Sequence, residues 1–365
     1  MANTSQLALA GQSIWLDNIT RALLDDGTIA RYIAEWDVVG LTSNPTIFDQ
    51  AISKSTTYDS QIRELASRGM DPESIFFELA IDDLRRACDL FAPVHRRTGG
   101  LDGWVSLEVS PKLAYDTAST VKQALALHAK ADRPNLFIKV PGTPEGLPAV
   151  EQLSEAGVPV NVTLLFDAAQ YRAAADAWNR GLAKRIAAGK DPIVCSVASV
   201  FVSRWEKPCT AALAASGRGE LKDTAGIAAG RGCWEAYVSM LTSENWRNLA
   251  AKGATPQRLL FASTSTKDPS LSATMYVEAL AAPGTVNTMP DGTLKALAAT
   301  GSIKDILTAC DGRGSAALAA LAAAGIDLGR VAAQLQTEGA ASFVKSWDDL
   351  VAAIGTKAAA AKVSA

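Results

Sequence analysis

The sequence predicts an α/β protein folded as a closed (β/α)8 TIM barrel with extra helices. Three observations lead there. Eight short β-like runs recur along the chain, and the segments between them carry helical periodicity, the alternation that parallel strands with crossover helices require. Eight such strands in about 290 residues fit a closed barrel better than an open sheet. Several runs also split by parity into one apolar face and one face with polar groups, as barrel strands do when alternate side chains point to the centre.

The expected strands are 13–18, 38–44, 104–109, 136–141, 158–166, 193–201, 258–264 and 285–290. Helical stretches are expected over 20–36, 74–91, 115–131, 167–189 and 267–282. Two connections are longer than a crossover needs, 49–103 and 205–257, and both read as helical insertions. An Ala-rich helical extension, 291–365, follows the last strand. No fixed-period repeat and no Pro/Ser/Gly linker divides the chain, so residues 1–365 are read as one barrel domain.

Parity assigns the interior. Ile14 and Leu16, Val105 and Leu107, Leu136, Ile138 and Val140, and Val160, Val162 and Leu164 are expected to face the helices. That leaves Trp15, Asp17, Trp104, Ser106, Glu108, Phe137, Lys139, Asn161 and Thr163 inside, and places Thr42 and Asn44 on one face of the second strand. A purely structural interior is filled with Val, Ile and Leu. A lysine and two carboxylates near the C-terminal ends of their strands, where barrel active sites are built, point to a site.

Lys139 sits in NLFIKVP between apolar residues. Burying an ammonium is costly, and desolvation favours the neutral amine that attacks a ketone, so a Schiff-base role is expected. The alternative is a structural ion pair with Asp17 or Glu108. Those carboxylates lie on different strands, as two separate acid–base roles require. In an imine mechanism Asn44, Asn161 and Thr163 would bind substrate hydroxyls and hold a water; otherwise they satisfy a polar core. Ser199 and Arg204 at the end of the sixth strand suit a phosphate. Lys267, after the seventh, is a further candidate cation. Trp15, Trp104 and Phe201 read as packing.

Composition narrows the field. Net charge is -3 without a basic run, so neither nucleic acid nor an anionic membrane is indicated. The N-terminus lacks the charged and apolar regions of a signal peptide, and no run of about 18 apolar residues occurs. Five scattered cysteines without a CxxC pair suggest neither disulfides nor zinc, and a reducing cytoplasm is expected. The two histidines, His95 and His128, have no nearby ligand partners in the sequence. The GRG segments do not follow strands as GxGxxG, so no dinucleotide site is expected.

From about residue 10 to 295 the chain resembles the transaldolases, which belong with the Schiff-base-forming aldolases. The resemblance rests on WLDNITR (15–21), GLTSNPTIF (40–48), VSLEVSPKLAYDT (105–117), NLFIKVPGTPEG (135–146), GVPVNVTLLFDAAQY (157–171), SVFVSRW (199–205) and NTMP (287–290). The 205–257 insertion and helical tail resemble the larger bacterial form. The resemblance implies transfer of a dihydroxyacetone unit from sedoheptulose 7-phosphate to glyceraldehyde 3-phosphate, giving erythrose 4-phosphate and fructose 6-phosphate. It implies no metal and no organic cofactor, and sugar phosphates as partners.

By motif, Lys139 matches the imine-forming lysine and Asp17 the acceptor of the C4 hydroxyl proton. Glu108 matches the glutamate that moves protons through a water held by Thr163. Asn44 and Asn161 match ligands of the substrate hydroxyls, with Thr42 beside them expected to bind substrate, and Ser199 and Arg204 match the phosphate ligands. A second phosphate-binding arginine of the family has no arginine counterpart here, and Lys267 is the nearest cation. The rivals are a fructose 6-phosphate type aldolase and a non-catalytic barrel that binds sugar phosphates. The expected assembly is a monomer or homodimer.

Overall fold

Eight parallel strands close in sequence order in the computed structural model, which describes residues 2–308 and 310–363. The strands are β1 (Ser13–Asp17), β2 (Val38–Thr42), β3 (Trp104–Glu108), β4 (Leu136–Pro141), β5 (Val160–Leu165), β6 (Ser196–Phe201), β7 (Gln257–Ala262) and β8 (Val286–Met289). β1 pairs with both β2 and β8, which closes the cylinder and leaves no open edge. Each strand overlaps a run expected from the sequence.

β1, β3 and β4 alternate as expected, whereas β2 is interrupted by a register shift against β1, where Val39 is skipped between the pairs Ile14–Val38 and Trp15–Gly40. Ile14, Leu16, Val105, Leu107, Leu136, Ile138 and Val140 pack in the large apolar layer between barrel and helices. Trp15, Trp104 and Phe137 instead fill the bore from the N-terminal ends of their strands. Phe137 stacks between the other two, with ring centroids 4.1 Å from Trp104 and 6.1 Å from Trp15. These large rings occupy the lower bore and leave the polar groups at the other end.

β5 departs from the expectation. Leu164 does not face the helices. Its φ is +60°, and the pairing with β6 shifts register between Val162 and Leu165. This bulge inserts one residue and resets the alternation. Leu165 therefore joins Val160 and Val162 in the outer layer, while Leu164 groups with Phe166 and the bore residues.

Two expected helices are also corrected. The stretch 20–36 is broken at Gly27 (φ +75°) into Arg21–Asp25 and Thr28–Glu35. In 267–282 only Met275–Ala279 is α-helical. Asp268 Oδ1 accepts from the Ser270 amide at 2.9 Å, and this local turn around Pro269 competes with helix formation.

The first long connection holds Pro45–Ser53, Asp59–Ser67 and Pro72–Arg97. Asp71 caps the last of these through the Ser74 amide, with Pro72 at its first position. The 205–257 connection holds Glu206–Ala215, Ala225–Thr242 and Glu244–Ala250. Beyond β8 come Asp291–Thr300, Arg313–Ala323 and the C-terminal helix, Leu328–Val363; residues 364 and 365 of the expected tail lie outside the described residues.

That C-terminal helix folds back to the barrel. Trp347 packs edge-on against Phe76 with centroids 4.9 Å apart. Gln336 Nε2 donates to the carbonyls of Gly142 (2.9 Å) and Leu164 (3.0 Å), at the C-terminal ends of β4 and β5. The helix is thereby held against the mouth of the barrel. Among the described residues, no single helix is long and apolar enough to cross a membrane.

Candidate active site

Lys139 lies near the end of β4 with 4% of its surface exposed. Its Nζ donates to the Ser43 carbonyl at 2.9 Å and stands 3.0 Å from Glu108 Oε2. Register explains the second contact, because Glu108 on β3 is the direct pairing partner of Lys139, and Asn161 on β5 is its partner on the other side. The ion pair is close but poorly directed: neither Glu108 oxygen has an aligned hydrogen-bond donor among the described residues. Burial raises the Glu108 carboxyl above the usual carboxylate range, and the Lys139 charge opposes that rise.

Asp17 ends β1 and keeps one side open to the cavity. Its Oδ1 accepts from Thr42 Oγ1 at 2.7 Å. Burial raises its carboxyl too, opposed by Lys139, by the Thr42 hydrogen bond and by the charge of Lys267. The site thus holds two carboxylates whose burial favours proton uptake, with the Lys139 side chain paired to Glu108 and its charge felt by Asp17.

A cavity of about 540 Å³ opens above these groups. Asp17, Thr42, Asn44, Lys139, Thr163, Ser199, Arg204 and Lys267 all line it. Thr163 Oγ1 is buried and unpartnered among the described residues, so it is free to bind a water or a substrate group. Glu108 and Asn161 lie behind the wall. Asn161 donates to Ser106 Oγ at 3.2 Å and accepts from Ser199 Oγ at 2.7 Å, which commits its amide to the wall itself.

Asn44 is not on the second strand. β2 ends at Thr42, and Asn44 is the N-cap of the helix Pro45–Ser53, its Oδ1 accepting from the Ile47 amide at 3.0 Å. The Asn-Pro pair explains the early stop: asparagine favours the cap, and proline suits the first helical position. The cap engages the oxygen and leaves the amide nitrogen for a ligand.

Arg204 sits in the 3-10 turn Ser203–Trp205 after β6. The turn is pinned by Trp205 Nε1, which donates to the Phe166 carbonyl at 2.9 Å. The guanidinium lies 5.4 Å from the Phe201 ring centre and 5.9 Å from that of Phe343, so two aromatic faces hold it at the cavity wall. Burial lowers its pKa from the usual arginine value, countered by Glu338. Lys267 is exposed and donates to Ser265 Oγ at 3.1 Å.

Sequence reasoning missed several wall residues. Thr46, Ile47 and Gln50 line the cavity from one face of the helix after β2, a helical spacing that could have been noticed. Thr288 lines it from β8, and extending the parity argument to that strand would have found it. Asn18 follows Asp17 directly. Phe343 comes from the C-terminal helix and had no local signal. Among the described residues, no group of three His, Cys, Asp or Glu side chains converges to hold a metal.

A second cavity of about 700 Å³ opens at the N-terminal end of the barrel, beneath Trp104 and Phe137. Its Arg258 is fully engaged by Asp102, Ser13 and the carbonyls of Leu101, Gly284 and Thr285. It holds no counterpart of the lysine and paired carboxylates, which leaves the C-terminal cavity as the candidate active site.

Comparison with known proteins agrees with this geometry. The sequence model of the transaldolase/fructose-6-phosphate aldolase family matches residues 14–354. Transaldolase from Frankia alni is 45% identical over 96% of both chains. Transaldolase from Acidothermus cellulolyticus is 46% identical, over 96% of this chain and 95% of its own. Transaldolase from Thiobacillus denitrificans is 45% identical, over 96% of this chain and 99% of its own. With a closed eight-stranded barrel, a buried lysine paired with a glutamate and this likeness along nearly its whole length, the chain belongs to the transaldolase/fructose-6-phosphate aldolase family.

Proposed function

We propose that this chain, an enzyme of the transaldolase type, works through a Schiff base on Lys139. It moves a dihydroxyacetone unit from sedoheptulose 7-phosphate to glyceraldehyde 3-phosphate. The observation that carries this reading is the buried Nζ of Lys139 at a polar cavity, 3.0 Å from Glu108 Oε2.

The Lys139 amine attacks the C2 carbonyl of the ketose. Glu108 takes the ammonium proton, which its raised affinity for protons favours. Through a water at Thr163 it then supplies the proton that carries off the carbinolamine hydroxyl as water. Asp17 accepts the C4 hydroxyl proton as the C3–C4 bond breaks. The bonding electrons pass to the protonated imine nitrogen, and the product aldehyde leaves behind an enamine. The acceptor aldehyde then enters, C3 of the enamine attacks it, and Asp17 returns the proton to the new alkoxide. Water hydrolyses the imine and releases the ketose.

Arg204, held between two rings, and Lys267 supply the positive charge for the substrate phosphate. Ser199 is read with Arg204 as a phosphate ligand, Asn44 and Thr42 face the substrate hydroxyls, and Asn161 braces Ser199 from behind the cavity wall. Exclusion of bulk water protects the enamine while it waits for an acceptor.

The test separates transfer from simple cleavage. With fructose 6-phosphate as donor, erythrose 4-phosphate should be consumed as sedoheptulose 7-phosphate forms. Release of free dihydroxyacetone at the same rate without acceptor would overturn transfer in favour of an aldolase.

A further inference from the structure

We propose that Thr288 is a positioning residue for Asp17, acting through Thr42 in a donor chain whose direction is fixed by the carboxylate. The proposal rests on the reading of Asp17 as the proton acceptor in C–C cleavage.

Thr42 Oγ1 lies 2.7 Å from Asp17 Oδ1 and 2.7 Å from Thr288 Oγ1. A hydroxyl has one proton to donate, and an ionised carboxylate only accepts. With Asp17 ionised, the Thr42 proton belongs to Asp17, and the bond between the two threonines must run from Thr288 to Thr42. Chains of this kind strengthen each member by polarisation.

The geometry is specific. Thr42 and Thr288 stand on β2 and β8, the two strands flanking β1, and their hydroxyls meet across β1. Asp17 pairs with Thr42, and Trp15, one interior position lower, pairs with Thr288. Thr288 is 2% exposed, and its own carbonyl accepts from Thr264 Oγ1 at 3.1 Å, which steadies the end of β8. Asp17 is thus tied to strands on both sides. Oδ1 is reserved for Thr42, and Oδ2 is the oxygen left to exchange a proton with substrate.

The chain also favours the ionised form of a buried carboxylate, the form that cleavage needs. The charged groups facing Asp17 are Lys139 on β4, Glu108 on β3 and Lys267 after β7. Arg204 and Asp291 share the same cavity wall. Replacing Thr288 leaves all of them in place.

The test compares Thr288→Val, Thr288→Ser and Asp17→Asn in the full chain with fructose 6-phosphate. Imine formation is read by borohydride trapping, and cleavage by rapid quench as a function of pH. Thr288→Val should slow cleavage about fivefold relative to imine formation, the worth of one neutral hydrogen bond. It should also move the rising limb of the cleavage profile to higher pH. Thr288→Ser should restore both. An unmoved limb in Thr288→Val, or a serine variant no better than valine, overturns the proposal. If Asp17→Asn cleaves at the wild-type rate, the reading of Asp17 fails and Thr288 falls with it. If Asp17→Asn is inactive in cleavage while Thr288→Val is unaltered, only the Thr288 proposal falls.

Discussion

Lys139 Nζ stands 3.0 Å from Glu108 Oε2, and the two residues are register partners at one level of the barrel. The pair is neutral overall whether the proton sits on nitrogen or oxygen. Moving it to Glu108 therefore frees a nucleophile without leaving a net charge in a dry site.

Glu108→Gln keeps the shape and removes the proton acceptor. The rate of imine trapping by borohydride should fall about 100-fold or more, the range of general acid–base catalysis. Circular dichroism should still report a folded barrel. A trapping rate like wild type would remove Glu108 from the proton path.

Asp17 carries a sign that stability can read. Its folded pKa lies above its ordinary value, so the associated stability is complete below the unfolded pKa and is lost as pH rises through the folded one. An asparagine side chain at this position mimics the neutral form. Asp17→Asn should therefore melt above wild type by about a few degrees near pH 8, with the two converging near pH 4. A gap that widens on acidification contradicts the assignment.

Phe343 is the contribution of the C-terminal helix to the cavity. Its ring centre lies 5.9 Å from the Arg204 guanidinium. Phe343→Ala should raise KM for a phosphorylated ketose about fivefold with a smaller change in kcat, as expected for a lost cation–π contact on a binding group. An unchanged KM would show that the ring only packs.

Gly40 lies beside Trp15 on the neighbouring strand. A Cβ there would meet the indole at 2.5 Å, too close for any side chain. Gly40→Ala should cost about 1–3 kcal/mol and lower Tm by several degrees. A melting temperature equal to wild type would show that the indole moves aside freely.

The barrel is legible because its strands write their two faces in alternate residues. Apolar Leu136, Ile138 and Val140 against Phe137 and Lys139 is a pattern that only one orientation satisfies. Leu164 escapes that logic because a bulge depends on its neighbours rather than on local alternation. Asn44 reads as strand because strand and cap signals run together in TSNP. The Ser43 carbonyl under Lys139 has no side-chain signature at all. Phe343 reaches the site through the packing of a distant helix, which periodicity within that helix does not reveal.

The most direct test of the central claim is to trap the covalent intermediate. Incubation with fructose 6-phosphate and borohydride, followed by peptide mass mapping, should place a reduced three-carbon adduct on Lys139, with none formed in Lys139→Ala. An adduct on another lysine, or undiminished transfer by Lys139→Ala, would contradict it.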